Sequence, residues 1–78
     1  MNYEQAVWEV YYWQYEPTGS FYNMLIDLYR KADGSNRYKI SIAYPMIATA
    51  IDEWDESGDN GDDLFRKYKV GRFAHERS

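Results

Sequence analysis

The stretch Glu16-Pro17-Thr18-Gly19-Ser20-Phe21-Tyr22 separates two aromatic-rich runs and holds the only Pro-x-Gly sequence in the N-terminal half. Pro17 cannot continue a helix, and it disfavours helical geometry at Glu16. Gly19 allows the chain to turn, and Ser20 is a natural N-cap for a following helix. The stretch therefore predicts the corner of a helical hairpin.

A helix is predicted on each side of this corner. Residues 2–15 form the first, because Asn2 and Gln5 have the spacing of a capping box and the run is long for a strand. Residues 21–32 form the second, which shows the clearest helical period in the chain. One apolar stripe comprises Phe21, Met24, Leu25, Leu28 and Ala32, and Tyr22, Ile26 and Tyr29 lie beside it. We expect Gly34 to end this helix as a left-handed cap.

The segment 35–44 is ambiguous. Four large apolar residues alternate there with polar or small ones, which is the period of a strand: Tyr38, Ile40, Ile42 and Tyr44. The chain offers no second good strand, and a lone strand would leave its backbone groups unpaired. We therefore predict a third short helix, capped by Ser35 and ending near Ala43. An α+β fold with a strand at residues 38–44 stays open as the alternative.

Two more helices complete the predicted architecture. Pro45 suits the first position of a helix that should end near Ser57-Gly58. After the turn residues Asp59-Asn60-Gly61, a last short helix carries Leu64, Phe65 and Tyr68. The predicted fold class is all-α, a small bundle of four to five short helices. It forms a single helical domain over residues 1–70, followed by a frayed C-terminal tail over residues 71–78.

The composition excludes several classes of protein. The chain has 78 residues, no cysteine and a net charge of −4, so it has no disulfide framework and no thiolate metal site. The acidic excess argues against direct nucleic-acid binding, which needs a basic field. The N-terminus has no basic region typical of a signal peptide, and no apolar run is long enough to span a bilayer. We expect a cytoplasmic protein.

A run of acidic residues is the densest charged feature, and we call these residues the acidic run: Asp52, Glu53, Asp55, Glu56, Asp59, Asp62 and Asp63. A calcium loop starting at Asp55 would need glycine and glutamate where Asn60 and Arg66 stand, so that motif fails where it is most specific. Two interpretations remain. The acidic run is either an anionic patch for a basic protein groove or a solvated helix end and loop.

The first helix carries more aromatic surface than one helix face can bury. Tyr and Trp are preferred anchors of protein interfaces, so Trp8, Tyr12 and Tyr15 are candidate partner-binding residues. The alternative is that a small domain without cysteine packs its aromatic side chains from every side. Any that remain exposed would mark a partner site or a homodimer seam.

No motif in the sequence supports catalysis. His75 is the only histidine and lies in the predicted tail, without a supported nucleophile. Carboxylate pairs such as Glu4 and Glu9 show no signal of burial, and the chain has neither a phosphate loop nor zinc-ligand spacing. We expect no enzyme activity, no cofactor and no metal site.

Several segments occur in an order that resembles small phage and mobile-element reading frames of uncharacterised type. These segments are residues 18–22, Lys31-Ala32-Asp33 with Asn36, Tyr44-Pro45 and the acidic region around Trp54. The resemblance spans most of residues 3–68 and departs from the pattern at the strand-like residues 38–42. Frames of this kind look like short, helical, acidic single domains. No functional residue is carried over from them.

The resemblance implies a function, because small acidic phage proteins without enzyme motifs are often inhibitors of host defence, anti-CRISPR proteins among them. The leading hypothesis is a non-enzymatic inhibitor that docks on a basic host nuclease or nucleic-acid-binding complex in the host cytosol. The acidic run would meet cations meant for nucleic acid, and the aromatic residues would act as anchors. The alternative is a structural or regulatory helical interaction module without an inhibitory role, which could be a homodimer.

Overall fold

A computed structural model describes residues 1–75 and shows an all-α bundle. Five α-helices follow one another: α1 (Tyr3–Tyr15), α2 (Phe21–Lys31), α3 (Gly34–Ala43), α4 (Pro45–Glu56) and α5 (Asp62–Tyr68). Short 3-10 turns at Asp59–Gly61 and Gly71–Phe73 flank α5. The predicted fold class is confirmed, and the described part of the chain contains no strand.

Side chains cap the first two helices as the sequence predicts. The Asn2 side chain accepts a hydrogen bond from the Gln5 amide at 2.8 Å, and the Gln5 side chain accepts one from the Asn2 amide at 2.8 Å. At the corner, the Ser20 hydroxyl accepts a hydrogen bond from the Asn23 amide at 3.2 Å. These contacts satisfy amides that a helix start leaves without partners.

The predicted boundary between the second and third helices is wrong in two details. Asp33, and not Ser35, caps α3, because its carboxylate accepts a hydrogen bond from the Asn36 amide at 2.8 Å. Gly34 is the first residue of α3 and not a left-handed cap of α2, which ends at Ala32 in an extended conformation. Residues 34–43 form a helix, so the strand alternative is wrong. The aspartate cap favours this helix in spite of the alternating pattern.

Helix α1 lies at the centre and packs against α4, α2 and α5. Its buried face consists of Ala6, Val7, Val10 and Tyr11. The other helices close the core around it with Leu25, Ile26, Tyr29, Ile47, Ala48, Ala50, Ile51, Leu64 and Phe65. Helix α3 contributes no buried residue to this core.

The segment after α5 departs from the expected tail. Val70 and Phe73 are buried, and the Arg72 amide donates a hydrogen bond to the Tyr11 hydroxyl at 3.1 Å. Residues 71–73 therefore pack on α1 because an apolar side chain and a backbone amide both find partners there. The remainder of the expected tail, residues 76–78, lies outside the described residues.

Candidate functional site

Most of the acidic run binds other parts of the chain. Glu53 accepts a hydrogen bond from the Tyr3 hydroxyl at 2.6 Å and pairs with Lys67 at 3.2 Å. The Tyr3 contact is the main cause that lowers the pKa of Glu53. Asp52 accepts a hydrogen bond from the Tyr29 hydroxyl at 3.0 Å. These two carboxylates tie α4 to α1, α2 and α5.

The three aspartates of the 59–63 segment also have internal partners. Asp59 and Asp63 both pair with Arg66, at 2.9 and 2.8 Å. Asp62 is buried, accepts a hydrogen bond from the Tyr15 hydroxyl and pairs with Arg72, both at 2.6 Å. Within residues 1–75, Asp55 and Glu56 are therefore the members of the acidic run without a side-chain hydrogen bond or ion pair.

The three aromatic residues chosen from the sequence are also engaged within the fold. The rings of Trp8 and Tyr12 lie 5.6 Å apart and are only partly exposed. Tyr15 is 37% exposed, its ring packs edge-on against Phe65, and the Arg72 guanidinium lies 5.0 Å from the Tyr15 ring. Its hydroxyl is held by Asp62, whose hydrogen bond raises the pKa of Tyr15. The three are not brought together as one exposed anchor site.

The structure instead exposes part of the apolar stripe on α2. Phe21, Met24 and Leu28 are 54%, 59% and 57% exposed, and we call these three residues the α2 stripe. Spacings of three and four residues place them on one face of the helix. A cluster of exposed apolar side chains usually marks a surface that contacts another molecule.

The orientation of α2 follows from what its other face binds. Asn23 is buried, and its side-chain oxygen accepts a hydrogen bond from the Thr18 amide at 2.8 Å, which anchors the corner. Ile26 and Tyr29 continue that inward face, and Tyr29 also reaches Asp52. Helix α2 carries two apolar faces, and the buried one is the face that includes the polar anchor. Within the stripe seen in the sequence, Leu25 is buried, whereas Phe21, Met24 and Leu28 are exposed.

Helix α3 runs beside the α2 stripe, and the two helices form a groove. The Phe21 and Tyr44 rings lie 5.7 Å apart at one end, so the start of α2 is next to the end of α3. The groove has a volume of about 390 Å³. We call it the α2–α3 groove; it is lined by Leu28, Lys31, Ala32, Asn36, Lys39 and Ile40.

A second exposed apolar pair lies on α3. Tyr38 and Ile42 are 67% and 65% exposed and stand four residues apart, so they share one helix face. Neither residue lines the groove. We call them the α3 outer pair.

The basic side chains of α2 and α3 differ in the contacts that they make. The Arg30 guanidinium lies 5.3 and 5.2 Å from the rings of Trp13 and Trp54. Arg37 donates to the carbonyl oxygens of Tyr29 and Arg30, both at 3.0 Å. Lys31 and Lys39, in contrast, form no ion pair within residues 1–75, and both line the groove.

The described residues offer no arrangement typical of a metal or catalytic centre. No group of three or more His, Asp or Glu side chains within residues 1–75 is placed to hold a metal ion. Burial raises the pKa of the Glu9 carboxyl. Within the same part of the chain, no helix has the length and apolar character needed to cross a membrane.

The comparisons with known proteins identify no relative. No protein-family model matches the sequence, and neither a curated protein nor a solved structure matches it.

Proposed function

We propose that this protein is an interaction module that binds a protein partner through the α2 stripe and the neighbouring α2–α3 groove. The observation that carries the proposal is the exposure of three large apolar side chains on one face of a helix whose other face is buried. Contiguous exposed apolar surface on a small domain is typical of a binding surface, because leaving it in water costs free energy.

The electrostatics of the face support a protein ligand. The groove is lined by apolar side chains together with two lysines and an asparagine. A combination of apolar centre and polar rim is the usual anatomy of a protein interface. Two lysines alone are a weak field for nucleic acid, and the chain as a whole is acidic.

The experiment is a quantitative affinity capture from bacterial lysate with three forms of the tagged protein. These are the parent protein, the double variant Met24→Gln/Leu28→Gln and the matched control Tyr38→Gln/Ile42→Gln. Gln keeps helix propensity, and all four positions are exposed, so each variant should fold. We expect the α2 variant to lose a captured protein that the control retains. Equal capture by all three forms would contradict the proposal.

Inhibition of a host nuclease complex is the narrower proposal. It is supported by Asp55 and Glu56, which lie exposed near the C-terminal end of α4 without internal partners among the described residues. Helix C-termini already carry partial negative charge, so these two carboxylates extend an anionic surface. Asp55→Lys/Glu56→Lys should weaken binding to a basic nuclease complex, with the largest effect at low salt. Unchanged binding of that variant to the complex would contradict a role for these two carboxylates in the interaction.

A further inference from the structure

We propose that the occupant of the α2–α3 groove is an amphipathic helix whose apolar stripe is flanked by acidic side chains. This inference rests on the proposed function and names the chemistry of the partner. Two features carry it: the shape of the surface between two antiparallel helices, and the placement of the two lysines that have no internal ion pair.

The shape favours a helix. The start of α2 lies beside the end of α3, and Leu28, nearer the end of α2, lines the groove together with Asn36 and Ile40, so the two helices run antiparallel. A groove between two such helices accepts the side chains of a third helix laid along it, with anchors spaced three or four residues apart. Helix α2 has 11 residues, so it offers a contact about 16 Å long, which is about three helical turns.

The charges of the groove favour an acidic ligand. Lys31 on α2 and Lys39 on α3 lie on opposite walls of the groove, and Leu28 and Ile40 supply apolar lining from the same two helices. A ligand helix would therefore place apolar anchors against Leu28 and Ile40 and carboxylates near the lysines. Complementary charges at such positions set orientation and discriminate between partners more than they raise affinity.

The same charges argue against a second copy as the occupant. In a symmetric dimer the same patch meets itself, and the groove lining contains two lysines and no carboxylate to pair with them. The acidic run could supply carboxylates in a head-to-tail contact. However, all of its members except Asp55 and Glu56 already have internal partners within the described residues.

The test uses two fluorescent peptides of about 14 residues with one shared Leu/Phe stripe. One peptide has Glu at the flanking positions and the other has Lys. Fluorescence anisotropy titrations on the intact protein should show roughly tenfold tighter binding of the Glu peptide. The variant Lys31→Glu/Lys39→Glu should invert that preference, and about 0.5 M salt should reduce it.

Two further variants show where the peptide binds. Met24→Gln/Leu28→Gln should lose the Glu peptide, and Tyr38→Gln/Ile42→Gln should retain it. Equal affinity for the two peptides, or a preference that survives Lys31→Glu/Lys39→Glu, would overturn the inference. A dimer in sedimentation equilibrium that Met24→Gln/Leu28→Gln dissociates would also overturn it, since a second copy would then cover the groove.

Failure of the inference and failure of the proposed function give different results. If neither peptide binds while Met24→Gln/Leu28→Gln still loses a captured protein, the face binds a partner of another kind and only the acidic helix is refuted. If the captured protein is retained by that variant, the proposed function itself fails. The inference fails with it.

Discussion

The carboxylate of Asp62 joins three parts of the chain at one buried point. Its two oxygens bind the Tyr15 hydroxyl at the end of α1 and the Arg72 guanidinium beyond α5. A buried carboxylate is stabilised only when its oxygens are paired, and here both are. Asp62 therefore holds the C-terminal segment against α1.

Replacing Asp62 tests this role. Asp62→Asn should lower the free energy of unfolding by about 1–3 kcal/mol, because it weakens two charge-assisted contacts at a buried position. The adjacent Asp63→Asn is the matched control, since Asp63 is exposed and should cost clearly less. Urea unfolding measures both. Equal losses in the two variants would contradict the role assigned to Asp62.

Substitution of glycine by alanine should have opposite effects on stability at two positions. Gly71 has a φ of +59°, and a Cβ there would overlap the Tyr11 ring. Gly34 is the first residue of α3, and a Cβ there would meet nothing within 4 Å. Gly71→Ala should destabilise the protein by roughly 1–3 kcal/mol. Gly34→Ala should stabilise it by about 0.4–1 kcal/mol. Thermal melting measures both, and a stabilising Gly71→Ala would contradict the packing of this segment on α1.

At the scale of the elements, the rotation of α2 about its own axis decides what the surface looks like. Ile26 and Leu28 are two residues apart and lie on different faces, one buried and one exposed. Ile26→Ala should cost about 2–5 kcal/mol, as deletions in a packed core do. Leu28→Ala should change stability by less than about 0.5 kcal/mol. Comparable losses in urea unfolding would mean that α2 is rotated differently.

The sequence predicts the helices well and the surface poorly, and α2 shows why. Local signals such as the Asn2 capping box, the Pro17 break and the Ser20 cap depend on neighbouring residues, so they can be read along the chain. The choice between two apolar faces of α2 depends on a hydrogen bond from Thr18 and on Asp52, which is distant in sequence. Whether a carboxylate of the acidic run has a partner within the fold also depends on distant contacts, such as the hydrogen bond from the Tyr3 hydroxyl to Glu53.

At the scale of the whole molecule, tyrosine hydroxyls bound to carboxylates link stability to pH. Burial, followed by the hydrogen bond to Glu53, raises the pKa of Tyr3 above its usual value of 10.0. The Asp62 hydrogen bond raises that of Tyr15, and burial raises that of Tyr29. The folded state holds these protons more tightly, so the stability they contribute is full below pH 10 and is lost as the pH rises through the folded pKa values.

At acidic pH, stability changes with pH in the opposite direction. The Tyr3 hydroxyl lowers the pKa of Glu53 from its usual 4.5, so this stability is present above that pH and is lost as the pH falls further. Tyr3→Phe removes the shared hydrogen bond. It should lower the neutral-pH melting temperature and make the decline shallower in both acid and alkali. Melting curves across pH measure this, and limbs as steep as those of the parent protein would contradict the assignment.

The α2 stripe is the claim on which the proposed function rests, and the chain contains an internal test of it. Of its three leucines, Leu28 is 57% exposed, whereas Leu25 and Leu64 are 7% and 2% exposed. The measurement is methyl NMR of leucine-labelled protein with a soluble paramagnetic agent, at low and high protein concentration. We predict that the Leu28 methyl signals broaden strongly at both concentrations while those of Leu25 and Leu64 stay sharp. Protection of all three leucines would show that the stripe is buried in the core or covered by a second copy, and would contradict the account.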